Sequence, residues 1–237
     1  MTSKYKKICL WAMVISYPFV LFLAYCMFFV MLLAPYTYWG SDDEPIGEVE
    51  VCDLMPSGTI NGHDYVDLGL SVKWATCNVG AIGPKDFGDV YVWGEQEPLE
   101  PSGNYEDGGS IGEKSTDDIS GTSRDVAHVK WGSRWRIPTK AECEELLENC
   151  HFTRVACNGV YGYQATSQKN GKSIFFPDDD SSTNVYGELD AATFWTSTPG
   201  DSGGGVAYHV SVDHYEPTCL IDEYFHSGRS VRPVTEK

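Results

Sequence analysis

From Ile8 to Pro35 the chain runs 28 residues without a charged side chain. A helix needs only about 20 apolar residues to cross a bilayer, and a secretory apolar core is usually about 7–15, so a membrane anchor is the expectation for residues 8–35. Lys4, Lys6 and Lys7 precede this run, and Asp42, Asp43 and Glu44 follow it. Positive residues stay on the cytoplasmic side, so residues 1–7 read as a cytoplasmic tail and everything after the helix as exported. Trp11, Tyr36, Tyr38 and Trp39 stand near the two ends, where an aromatic belt would lie. The competing reading is a long cleaved signal peptide, which would leave the same domain outside but untethered. Leu23-Ala24-Tyr25-Cys26 only faintly resembles a lipidation box, because Tyr25 is bulky and the apolar run continues past it.

All 34 acidic residues lie beyond residue 40, against 14 of the 17 Lys and Arg, which gives the exported part a formal charge of −20. That charge disfavours nucleic acid and anionic membrane surfaces as partners. Six cysteines lie outside the apolar run: Cys52, Cys77, Cys143, Cys150, Cys157 and Cys219. An even number in an oxidising compartment permits three disulfides in 15 pairings, and buried free thiols are an equal alternative. No CxxC or other zinc spacing occurs.

Residues 36–60 read as a linker, polar and Pro/Gly-containing from residue 41 on. The domain then runs over residues 61–237. Val66, Leu68, Leu70, Val72 and Trp74 alternate with polar or small residues, which predicts a half-buried strand. Val90–Trp93 predicts a second strand, and residues 96–125 a long loop. Thr139 and Glu142 form the capping box of the one clear helix, with Cys143, Leu146, Leu147 and Cys150 on its buried side. Cys143 and Cys150 sit two turns apart and are too distant to bond each other. Tyr161–Gln168 and Lys172–Phe176 flank Asn170-Gly171, a type I′ hairpin signal. Strands follow at Phe194–Ser197 and Val206–Val212, and Ser230–Val234 closes the chain. Pro233 places that last strand at an edge or ends it there. The order predicts an α+β fold, mainly short antiparallel strands with few helices.

The run Tyr65–Gly80 (YVDLGLSVKWATCNVG) resembles the opening of the Fibrobacter succinogenes major paralogous domain family. Tyr91–Glu95, Trp131–Thr139, Phe194–Ser197 and Gly228–Val234 resemble its later motifs in order. The resemblance implies a C-type lectin-like fold, related to the formylglycine-generating enzyme domain, and a place among surface and secreted proteins of Bacteroidetes. It also implies that the first and last strands pair and that residues 177–226 carry the ligand-facing surface.

Catalytic signatures are absent: there is no GxSxG elbow, HExxH or P-loop, and the paired cysteines of the formylglycine-generating relatives have no counterpart around Cys219. Glu95, in Trp93-Gly94-Glu95, reads as part of a turn. No catalytic residue and no cofactor is assigned. Asp178, Asp179, Asp180, Ser181, Ser182, Asn184, Glu188 and Asp190 offer hard oxygens for calcium, but the spacing is not an EF-hand and the calcium motifs of sugar-binding lectins are missing. A solvated acidic loop is the alternative. Tyr208, His209, Asp213, His214, Tyr215, Glu216, Tyr224 and His226 gather aromatic rings with groups that fix orientation by hydrogen bonds. They are the candidate ligand site. His209 alternates with Val210 and is expected to point away from the buried face. The expected function is a single-pass, cell-membrane binding module for a glycan or a surface protein. The alternative is a structural subunit of the envelope or of a fimbria-like assembly without a small-molecule ligand, with an enzyme a distant third.

Overall fold

The computed structural model describes residues 54–99, 116–178, 191–201, 205–212 and 219–237. The expected tail, anchor and most of the linker lie outside these residues. Among the described residues, no helix is long and apolar enough to cross a membrane.

Val66, Leu68, Leu70, Val72 and Trp74 are all buried, as their alternation predicts, yet they do not form one strand. β2 (His63–Val66) ends and β3 (Lys73–Ala75) begins around an irregular stretch. The Asp67 carboxylate accepts from Gly69 N, and Gly69 takes φ 76°, which turns the chain out of a ladder. The Ser71 N–H donates to the Glu145 carboxylate instead of to a neighbouring strand. β1 (Gly58–Ile60) pairs with β2, so the folded part reaches back into the segment read as linker. Asn61 (φ 51°) and Gly62 (φ 84°) join them with the two positive φ angles of a type I′ turn.

The closing strand β11 is Val234–Thr235, and it pairs antiparallel with β3 (Val234 opposite Trp74) and with β4 (Trp135–Arg136). The sheet order is β1-β2-β3-β11-β4. The Trp74 end of the stretch predicted as the first long strand, now β3, therefore meets the last strand, which is internal rather than at an edge. Pro233 lies just before it, where no N–H is required, and its carbonyl accepts from Ala75 N. Val90–Trp93 contributes only isolated bridges, Tyr91 to Pro98 and to Arg229.

Two helices are described, not one. α1 (Val126–Trp131) is capped by Asp125, whose side chain accepts from His128 N; six residues are too few to carry a periodic signal. α2 (Lys140–Asn149) has the expected capping box of Thr139 and Glu142. Cys143 and Leu146 are buried on it, Leu147 packs partly buried against the same core, and Cys150 begins the next strand.

β5 (Cys150–Cys157), β6 (Val160–Ser167) and β7 (Ser173–Pro177) form an antiparallel sheet. The type I′ angles occur at Asn158 (φ 48°) and Gly159 (φ 83°), between β5 and β6. At Asn170-Gly171 only the glycine has positive φ, because the Asn170 side chain is engaged: it donates to Asp67 O and accepts from Lys172 N. The span 177–226 contains a third antiparallel sheet, β10-β9-β8, of Cys219–Tyr224, Val206–Val212 and Ala192–Pro199, in which β8 and β9 cover the two strands expected there and β10 was not expected. The result is a strand-rich α+β fold, mostly antiparallel.

Alternate residues of β8 and β9 enter two cores. Phe194, Val210 and Val212 join Trp74, Leu146 and Phe176, while Trp195 and Ala207 join Trp93, Trp131, Trp135 and Phe225. Three indoles of the second core donate to main-chain carbonyls: Trp93 to Thr196, Trp135 to Ile60 and Trp195 to Tyr91. The polar edge of each of these three rings is thereby satisfied, which locks loops distant in sequence to one another.

Candidate functional site

β9 pairs with β10 so that Asp222 stands opposite Tyr208 and Tyr224 opposite Val206. Opposed residues share a face, and Tyr208 and Tyr224 are diagonal neighbours on it, at a spacing of about 7–8 Å between Cα atoms. This is the face that Val210 and Val212 turn into the first core, and α2 packs across it. The helix starts just above Tyr208. At that end the face opens to solvent: Tyr208 is half-buried and Tyr224 is 55% exposed.

Tyr208 is held from both sides. Its hydroxyl donates to Asp201 at 2.7 Å, and the Lys140 ammonium lies 3.8 Å from its ring centroid. The backbone N–H of Lys140 donates to the Thr198 hydroxyl, which donates in turn to Asp118. The Tyr208 side chain, with Glu144 and Asp201 nearby, holds the Lys140 ammonium above its usual value. The result is an aromatic edge with a fixed ring plane, rimmed by Asp118, Thr198, Lys140 and Asp201. Such a surface can stack on a sugar face or anchor a protein side chain, with hydroxyl and carboxylate groups setting orientation.

His209 is not part of it. It is 2% exposed and stands edge-on to Trp195 at 6.0 Å. It does turn away from the face of Val210, as expected, but that side meets Trp195 of the second core and not solvent, so period two here separates one core from another and not core from water. His226 belongs to the short 3₁₀ turn Phe225–Ser227 that follows β10. Asp213, His214, Tyr215 and Glu216 lie outside the described residues. Of the eight expected residues, Tyr208 and Tyr224 are thus brought to one surface. Lys140, Asp201, Thr198 and Asp118 were not anticipated, since nothing in their spacing links a helix start, a loop and a hairpin.

Among the described residues, no group of three or more His, Cys, Asp or Glu side chains is placed to hold a metal. Asp178, the first of the acidic run, is buried, with an Arg154 guanidinium nitrogen 3.4 Å from its carboxylate. The rest of the calcium candidates lie outside the described residues. Glu95 follows Gly94 (φ 81°), and its N–H donates to Val92 O, which is a turn. Cys77, Cys143 and Cys150 are buried free thiols, and Cys157 is disulfide-bonded.

Comparison with family models, with curated proteins and with solved structures finds no match to this chain.

Proposed function

We propose that this protein is a membrane-anchored binding module, not an enzyme. One N-terminal helix would hold a C-type lectin-like domain of the Fibrobacter succinogenes major paralogous kind outside the cytoplasm. That domain recognises a glycan or a protein at the cell surface, without nucleic acid and without an assigned cofactor. The observation that carries the reading is the paired Tyr208 and Tyr224 on one open face, with Tyr208 fixed by Asp201 and Lys140. A ring already immobilised loses little conformational freedom on binding, which favours affinity. The strand-rich α+β fold and the pairing of β3 with the closing strand β11 support the lectin-like assignment. A disulfide at Cys157 supports an oxidising, extracytoplasmic location.

The test is binding of the full chain to arrays of glycans and of surface proteins, beside the Tyr208→Ala and Tyr224→Ala variants. Retention that both substitutions abolish, with unchanged melting, supports the reading. Clean arrays with concentration-dependent self-association favour a structural subunit instead.

A further inference from the structure

Lys140 places its ammonium 3.8 Å from the centroid of the Tyr208 ring, well inside the distance of about 6 Å at which an aromatic face attracts a cation. Carboxylates surround the pair. Asp201 accepts from the Tyr208 hydroxyl at 2.7 Å, Asp118 accepts from the Thr198 hydroxyl at 2.8 Å, and Glu144 lies 4.0 Å from the ammonium. The Lys140 side chain is 32% exposed and that of Glu144 49%, so their ion pair is solvated and weak. An ammonium is therefore seated on the ring, but solvent can take it over when it leaves. The rim also carries more negative than positive charge, on an exported part of formal charge −20.

Given the binding face proposed above, we infer that its partner is a protein segment presenting a lysine, whose ammonium takes the place of Lys140 on the Tyr208 ring. The incoming ammonium exchanges like for like on the aromatic face. It also meets Asp201, which the Tyr208 hydroxyl already holds beside the ring. The displaced Lys140 ammonium returns to water and keeps Glu144 one turn along the helix. A neutral sugar stacked on that face would strip the ammonium from the ring and bring no charge to replace it. An acidic ligand would meet the surplus of carboxylates. Tyr224, 55% exposed on the same face, is placed to cover the aliphatic stem of the incoming side chain. The charge of the whole domain draws a basic segment toward it and repels an acidic one. Lys140 thus acts as a built-in competitor that the partner has to displace.

The experiment titrates the full chain with a fluorescent tetralysine peptide at about 0.15 M salt, where charges beyond about 8 Å are largely screened. Lys140→Ala should tighten binding about threefold by removing the competing cation. Lys85→Ala makes the same change of charge in the 81–88 loop and should leave binding nearly unchanged. Tyr208→Ala should weaken it about tenfold or more, and acetylating the peptide's lysines should abolish it. Should Tyr208→Ala fail to fold, the contrast between Lys140→Ala and Lys85→Ala decides. Equal effects of those two lysine variants, or no binding of the peptide, would overturn the inference. Capture of an uncharged glycan that needs Tyr208 and Tyr224 and is weakened by Lys140→Ala would overturn it too, while leaving the binding face itself in place. Binding of peptide and glycans that ignores both tyrosines would sink the face and the inference together.

Discussion

The tryptophan-rich core and the open rim of the β8-β9-β10 sheet are both built from aromatic rings, and they are held in opposite ways. In the core, Trp93, Trp135 and Trp195 each donate to a carbonyl from a distant part of the chain. Those bonds are buried, so their loss would leave a carbonyl without water to replace the donor. At the rim, Tyr208 is held by Asp201 and Lys140, whose groups meet solvent and can exchange partners. The first arrangement fixes the scaffold. The second leaves a ring that is oriented but still available. Substitutions in the core should therefore change stability, and substitutions at the rim should change binding.

The largest effect is expected at Asp125, which lies under the core. Its carboxylate accepts from the N–H groups of Gly121, His128 and Ile137, while burial pushes its pKa above the ordinary value. Asp125→Ala strands all three donors and should cost about 3 kcal/mol in denaturant unfolding. Trp195→Phe should cost less, about 1–2 kcal/mol, by removing the buried indole's hydrogen bond to Tyr91 O, which keeps its other donor, Arg229 N, and by shrinking a packed ring. Thr139→Ala removes half of the capping box at the start of α2 and should cost about 1 kcal/mol. Because Lys140 is the next residue, that variant should also loosen Tyr208. Fluorescence of a probe at the rim would report it, and an unmoved rim would break the supposed link between helix start and site.

A smaller effect is set by pH. His63 stacks on Trp131 with centroids 3.6 Å apart, and burial pushes its pKa below the ordinary value, opposed by Asp64. The folded state therefore binds a proton less readily than the unfolded chain. This contribution to stability is complete above a pH of about 6.5 and is lost as pH falls through the folded-state value. Melting temperature should drop over that window, and His63→Phe should flatten the drop. The smallest change in stability is expected for Tyr224→Ala, under about 0.5 kcal/mol, since its ring is largely exposed.

The sequence revealed most where a local rule decides the outcome. The capping box at Thr139 and Glu142 needs only its own four residues, and α2 forms as expected. Burial of Val66 through Trp74 was legible from alternation alone. Strand continuity was not, because the turn at Gly69 and the Glu145 bond to Ser71 depend on segments far along the chain. The same limit explains the hairpins: Asn-Gly marked a turn at 170–171, but contact with Asp67 redirected Asn170, and the true two-residue turns lie at 61–62 and 158–159. His209 was misread for a related reason, since alternation cannot tell water from a second core. The site was half legible: Tyr208 and Tyr224 are aromatics on a hairpin, whereas Lys140 and Asp201 reach them only through packing.

The most direct measurement is ligand capture by the full chain compared with its Tyr208→Ala and Tyr224→Ala variants, each checked for melting. The expected result is a glycan or surface protein retained by the wild type, lost by at least tenfold in both variants, with melting temperatures unmoved. Capture that survives both substitutions would contradict a binding face at this rim, as would loss that tracks unfolding.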